Sequence, residues 1–75
     1  MECQQIVDAR GLNCPLPILR AKKALSTMKS GEYLKVLATD PNSARDFQAF
    51  ARQTGNELVA QTAANGEFVS ILQRR

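Results

Sequence analysis

The first half of the chain passes from a strand pattern to a helical pattern. Residues 4–9 hold Ile6 and Val7 at their centre, and Arg10-Gly11 ends the strand that they predict. From Pro15 to about Met28, apolar residues recur at the spacing of one helical face. We expect the buried side of this helix to consist of Ile18, Ala21, Leu25 and Met28.

The second half repeats this alternation of strand and helix. Residues 33–39 alternate, with Leu34, Val36 and Ala38 on one face, and predict a strand with that face buried. The segment 40–43, Asp-Pro-Asn-Ser, is typical of a helix start. The second helix then runs to about Thr54 and ends at Gly55; its apolar side consists of Ala44, Phe47, Phe50 and Ala51.

The end of the chain predicts a hairpin. Residues 58–63 and 68–73 have strand character and flank Asn65-Gly66, a dipeptide that accepts the positive φ angles of a type I′ turn. The element order is therefore β-α-β-α-β-β, with helical crossovers that favour parallel strands in the first part. We expect one α/β domain over residues 1–75, a two-layer sandwich with a mixed four-stranded sheet and both helices on one face.

Length and composition exclude several classes of function. A chain of 75 residues buries only about 60% of the surface that it exposes when unfolded, so the function is expected on the surface. Without histidine, a Cys-His dyad, a Ser-His-Asp triad and most zinc sites are excluded, and we expect neither a metal nor a cofactor. There is no signal peptide or membrane-length apolar run, which favours a cytoplasmic protein.

Cys14 is the residue whose position calls for an explanation. If Pro15 is the first helical residue, Cys14 is the N-cap, where Ser, Thr, Asp or Asn would add about 1 kcal/mol of stability. A helix N-terminus favours thiolate, but Pro15 and Pro17 have no N–H, so only Leu16 can donate from the first three positions. We therefore predict a modest lowering of the Cys14 thiol pKa. The alternative, a buried cysteine that acts as a small apolar residue, stays open.

The residues around Cys14 resemble the signature of a known family. The run from Asp8 to Pro17, Asp-Ala-Arg-Gly-Leu-Asn-Cys-Pro-Leu-Pro, is similar to that of the TusA/SirA-like sulfur carriers, with their Cys-Pro-x-Pro centre. Gly31-Glu32, Asp40-Pro41, the segment 45–47 and Glu57-Leu58 extend the resemblance over most of the chain.

This resemblance implies both a fold and an activity. Family members share the β-α-β-α-β-β sandwich and accept sulfur as a persulfide on the motif cysteine, here Cys14, from a cysteine desulfurase or a rhodanese. They pass it to an acceptor protein in tRNA thiouridine synthesis, molybdenum-cofactor metabolism or sulfur oxidation. The implied activity is a relay between proteins, with Pro15 and Pro17 shaping the turn, and not multiple turnover of a small metabolite. We expect a monomer.

The remaining candidate residues support the motif or form a partner surface. Asp8 and Gly11 are expected to set the loop that presents Cys14, with an ordinary strand-to-helix turn as the alternative. We expect Gly11 to supply a backbone angle that a side chain would resist. The candidate partner surface consists of Arg10, Arg20, Lys22, Lys23, Asp40 and Asp46. Its alternatives are a solvated helix face for the basic residues and a helix cap for Asp40. Cys3 is expected to be incidental, although a resolving role with Cys14 is conceivable.

Two other classes of function stay open. In the first, the same surface docks a partner without any covalent bond to Cys14, and Cys14→Ser would leave the function intact. In the second, the chain binds RNA, which the net charge of +3 and the fold analogy favour only weakly, since fold alone is a poor guide to function. We expect Phe47 and Phe50 to lie in the core and not to stack on bases.

Overall fold

The computed structural model describes residues 2–75 and has the expected element order. Strand β1 spans Gln5–Ala9 and helix α1 spans Leu16–Ser26. Strand β2 spans Tyr33–Ala38 and helix α2 spans Ser43–Thr54. Strands β3 and β4 span Glu57–Ala64 and Glu67–Gln73. The α/β sandwich is thus confirmed, and no helix in residues 2–75 has the length and apolar character needed to cross a membrane.

The sheet has the strand order β1-β2-β4-β3. Strand β1 pairs parallel to β2, with Val7 opposite Val36, and β4 pairs antiparallel to both β2 and β3. The last strand is therefore inserted between β2 and β3, which leaves β1 and β3 at the two edges. The first three strands run in one direction, as the helical crossovers predicted.

Both helices pack on one face of this sheet and enclose a thin core. Phe47, Leu34 and Leu72 are fully buried at its centre, and the Phe47 and Phe50 rings meet edge to face at 6.1 Å between centroids. The expected core positions of both phenylalanines are confirmed. Strand β2 alternates as predicted, with Leu34, Val36 and Ala38 buried beneath the helices.

The turns follow their local sequence. Asn65 and Gly66 have φ angles of 54° and 77°, which is the backbone that the predicted hairpin turn needs. Helix α2 ends at Thr54, and Gly55 caps it with a φ of 77°; the Gly55 N–H donates to the Ala51 carbonyl. Helix α1 ends at Ser26, two residues before the predicted Met28. The N–H groups of Thr27 and Met28 donate to the carbonyls of Ala24 and Leu25, three residues back, as in a 3₁₀ turn and not an α-helix.

Candidate functional site

The site lies where the parallel strands β1 and β2 end. The loop of residues 10–15 leaves β1 there, and residues 39–42 leave β2 beside it, because Ala9 and Ala38 are partners in the sheet. The two loops are joined by a hydrogen bond of 2.9 Å from the Gly11 N–H to Thr39 Oγ1. The parallel pairing therefore brings two segments that are distant in sequence to one end of the sheet.

Asp40 anchors the backbone of Cys14. Its Oδ2 accepts the Cys14 N–H at 2.7 Å, and its Oδ1 accepts the Asn42 N–H at 3.0 Å. The Asp40 side chain is buried, whereas Cys14 is exposed. The structure thus excludes the alternative in which Cys14 is a buried apolar residue. It shows a fixed backbone that presents a solvent-facing thiol.

The helix start differs from the one predicted. Helix α1 begins at Leu16, and Pro15, not Cys14, occupies the N-cap position, where no side chain caps the helix. The Leu16 N–H donates to the Asn13 carbonyl at 2.8 Å, so it is not available to the thiol. Pro17 lies in the first turn and is buried. The expectation that Cys14 caps the helix is wrong, although the two prolines do flank the turn that follows it.

The predicted lowering of the Cys14 pKa is also wrong. A hydrogen bond from the thiol to the Asp46 carboxylate raises the pKa of Cys14, and partial desolvation together with the negative charges of Asp46 and Asp40 raises it further. Asp46 lies in the first turn of α2 and is half-buried. The thiol therefore ionises less readily than an ordinary cysteine, and the Asp46 carboxylate is the main cause.

Arg10 and Asp8 form a bidentate ion pair at the start of the loop. Arg10 Nε and Nη2 each donate to a different Asp8 oxygen at 2.9 Å, and the Arg10 N–H also donates to Asp8 Oδ1. These hydrogen bonds lower the pKa of Asp8 to about 2. Arg10 lies 3.7 Å from Glu67 as well, so its charge is shared between two carboxylates and is not presented freely beside Cys14.

The other basic candidates lie along α1 and do not form one cluster. Arg20 and Lys23 line a groove between α1 and β1, whereas Lys22 is exposed outside that groove. Leu16 and Leu19 line the same groove, and both are exposed. The sequence pattern did not single out Leu19, although its i, i+3 spacing from Leu16 on the polar side of the helix was a usable signal.

Cys3 lies far from Cys14. Cys3 precedes β1, and the loop with Cys14 follows its other end, so roughly 20 Å of extended strand separates the two regions at about 3.3 Å per residue. A disulfide needs Cα atoms within about 7 Å, so the two thiols cannot pair within this fold. Within residues 2–75, no three His, Cys, Asp or Glu side chains are grouped to hold a metal.

Comparison with known proteins gives a consistent result. The family model described as sulfurtransferase TusA matches residues 5–74. A sulfur carrier protein TusA from Allochromatium vinosum is 57% identical over 93% of this chain and 92% of its own. A sulfur carrier protein TusA from Pseudomonas putida is 37% identical over 93% of this chain and 88% of its own.

A solved structure supports the same relationship. The crystal structure of a SirA-like protein from Desulfitobacterium hafniense superimposes with a TM-score of 0.81. The two are 29% identical, and the match covers 93% of this chain and 96% of the other. The sheet order and the placement of the helices therefore recur in a protein of similar length.

Proposed function

Because the chain belongs to the sulfurtransferase TusA family, we propose that it is a sulfur carrier that holds sulfane sulfur as a persulfide on Cys14. The observation that carries this proposal is the exposed Cys14 thiol on a backbone held by Asp40. An exposed thiol with a fixed backbone suits exchange with a second protein. It does not suit a small substrate, which would need an enclosing pocket.

The loading step is a sulfur transfer without net oxidation. Cys14 sulfur attacks the outer sulfur of a donor persulfide, a new S–S bond forms, and the donor S–S bond breaks. The donor cysteine leaves with the electron pair and is protonated, while the Cys14 thiol proton is lost. Donor persulfide and carrier thiol thus become donor thiol and carrier persulfide. Unloading is the same step with Cys14 as the leaving group.

Asp46 is suited to handle the proton of this step. The Asp46 carboxylate raises the pKa of Cys14, so the thiolate nucleophile has to be generated when the donor arrives. Asp46 accepts that proton as the new S–S bond forms. A thiol of raised pKa is also the stronger nucleophile once it is deprotonated, and it resists alkylation and oxidation between transfers.

The donor is a cysteine desulfurase or a rhodanese, and the acceptor is a further protein of a sulfur relay. Family membership supports a donor and an acceptor protein in general. The pathways consistent with this relay are tRNA thiolation, molybdenum-cofactor metabolism and sulfur oxidation. In each, Cys14 is loaded and unloaded once per sulfur atom, so the chain acts as a carrier.

Intact mass spectrometry tests the proposal directly. The protein is incubated with a cysteine desulfurase and cysteine, and its mass is measured without reductant beside the Cys14→Ser and Cys3→Ser variants. We expect the wild type and Cys3→Ser to gain the mass of one sulfur atom and Cys14→Ser to gain none. A panel of active desulfurases and rhodaneses that never loads Cys14 would refute the carrier function and leave the non-covalent interaction module in its place.

A further inference from the structure

Strand β1 presents a free edge. It lies at the end of the sheet order and pairs only with β2 within residues 2–75. The Arg74 N–H donates to the Glu32 carbonyl at 2.8 Å, and in this antiparallel register Leu34 and Val36 direct their backbone groups to β4. Lys35 therefore faces β1, where its parallel partner is Ile6, so its backbone hydrogen bonds go to Gln5 and Val7. The N–H and C=O groups of Ile6 and Asp8 point away from β2. These groups can accept a further strand.

Exposed apolar side chains accompany this edge. Ile6, Leu16 and Leu19 are the large hydrophobic side chains that stay exposed in the described chain, with 62%, 46% and 52% of their surface accessible. All three line the groove between β1 and α1. Single exposed apolar residues are common, but their convergence on one groove beside an unpaired strand edge indicates a docking surface.

The charge of the groove selects the kind of partner. Arg20 and Lys23 line it, and within the described chain neither has a carboxylate within ion-pair distance. Asp8 is the acidic residue of the lining, and its carboxylate is occupied by Arg10. The groove is therefore apolar and positively charged, which is complementary to an acidic segment.

We propose that an extended, acidic segment of the sulfur-exchanging partner protein adds to β1 as a further strand in this groove. Its main chain pairs with Ile6 and Asp8, its apolar side chains pack on Leu16 and Leu19, and its carboxylates reach Arg20 and Lys23. Since Leu16 follows Cys14 closely in the chain, docking there brings the partner's persulfide to the thiol. This inference rests on the proposed function and names how its partner is recognised.

Hydrogen exchange of the complex provides the decisive measurement. The probe is a cysteine desulfurase or rhodanese that loads Cys14 of the wild type. In the free protein the outward amides of Ile6 and Asp8 exchange rapidly, and in the complex we expect both to be protected. A complex that forms while these two amides exchange at their free rate overturns strand addition.

Matched variants separate the groove from the rest of the helix. We expect Lys23→Glu to weaken partner binding at least about tenfold and Lys22→Glu, outside the groove, to change it less than about threefold. Ile6→Pro removes one outward N–H, which an edge strand tolerates, and should weaken binding more than Ile6→Ala does. Equal effects of Lys22→Glu and Lys23→Glu, or of the two Ile6 variants, contradict the proposal.

A small-molecule sulfur donor distinguishes failure of the docking proposal from failure of the carrier function. Each variant is also loaded by a low-molecular-weight persulfide, which needs no docking surface. We expect Lys23→Glu and Ile6→Pro to load from it as fast as the wild type. If protein donors load the wild type but leave the β1 amides unprotected, the partner does not add to β1 as a strand, and the carrier function stands. If no donor of either kind loads Cys14, both fail.

Discussion

The carboxylate of Asp40 holds the backbone of Cys14 at 2.7 Å although the two residues lie 26 positions apart. The same carboxylate accepts the Asn42 N–H, so one buried side chain connects the loop after β1 to the start of α2. Its burial removes water as a substitute acceptor for these two donors. Asp40 is therefore a structural requirement for the presentation of Cys14 and not the cap of α2, whose N-cap is Asn42.

Replacement of Asp40 should destabilise the fold and loosen the loop. Asp40→Ala leaves the Cys14 and Asn42 N–H groups without their acceptor, which should lower the free energy of unfolding in urea by about 1–3 kcal/mol. We also expect faster amide exchange at Cys14. Asp40→Asn keeps one side-chain oxygen and should lose less stability. An alanine variant as stable as the wild type would show that the carboxylate does not hold the loop.

Replacement of Asp46 should make Cys14 more acidic. The Asp46 carboxylate raises the pKa of Cys14, so Asp46→Asn should shift the midpoint of its alkylation profile to lower pH. The rate of reaction with iodoacetamide at pH 7–8 should rise accordingly, by a factor that the shift determines. The matched control is Glu57→Gln, which removes an exposed carboxylate from the start of β3. An unchanged midpoint in Asp46→Asn would contradict the hydrogen bond between the thiol and Asp46.

The ion pair of Asp8 with Arg10 should contribute stability in a defined pH range. The pKa of Asp8 is lowered from 3.8 to about 2, so its contribution is present above pH 3.8 and is lost as the pH falls towards 2. We expect Asp8→Asn to lower the Tm modestly at pH 7, with the difference shrinking below pH 3.8 and vanishing as the pH falls through 2. Thermal unfolding at several pH values measures this. In a double-mutant cycle, Arg10→Gln should add little to Asp8→Asn, whereas additive effects would mean that the pair is not coupled.

The backbone angle of Gly11, and not the space around it, should determine how much stability a substitution costs. Its φ is +81°, and an added Cβ would meet no atom within 4 Å, so the cost of Gly11→Ala is conformational. We expect a loss of about 1–2 kcal/mol in urea unfolding for Gly11→Ala and a smaller loss for Gly11→Asn, because asparagine adopts positive φ more readily. Equal stability of alanine and glycine at this position would show that the loop relaxes to another conformation.

Much of this protein is determined by local sequence. The period of apolar residues predicted every strand and helix, because the direction of side chains is set by the local backbone. Asn65-Gly66 predicted the hairpin, because positive φ is a property of single residues. The motif around Cys14 likewise indicated the family, which the matches to residues 5–74 confirm. Gly11 was expected to supply an unusual backbone angle, and it does.

Only the tertiary structure decided the environment of the thiol. The local pattern made Cys14 a helix cap of lowered pKa, but the helix begins later, and Asp46 and Asp40 from another element raise that pKa. Electrostatic neighbours are set by which strands pair, and the pairing of β1 with β2 brings the two loops together. The insertion of β4 between β2 and β3 leaves β1 as an edge, and the groove beside it exists for that reason.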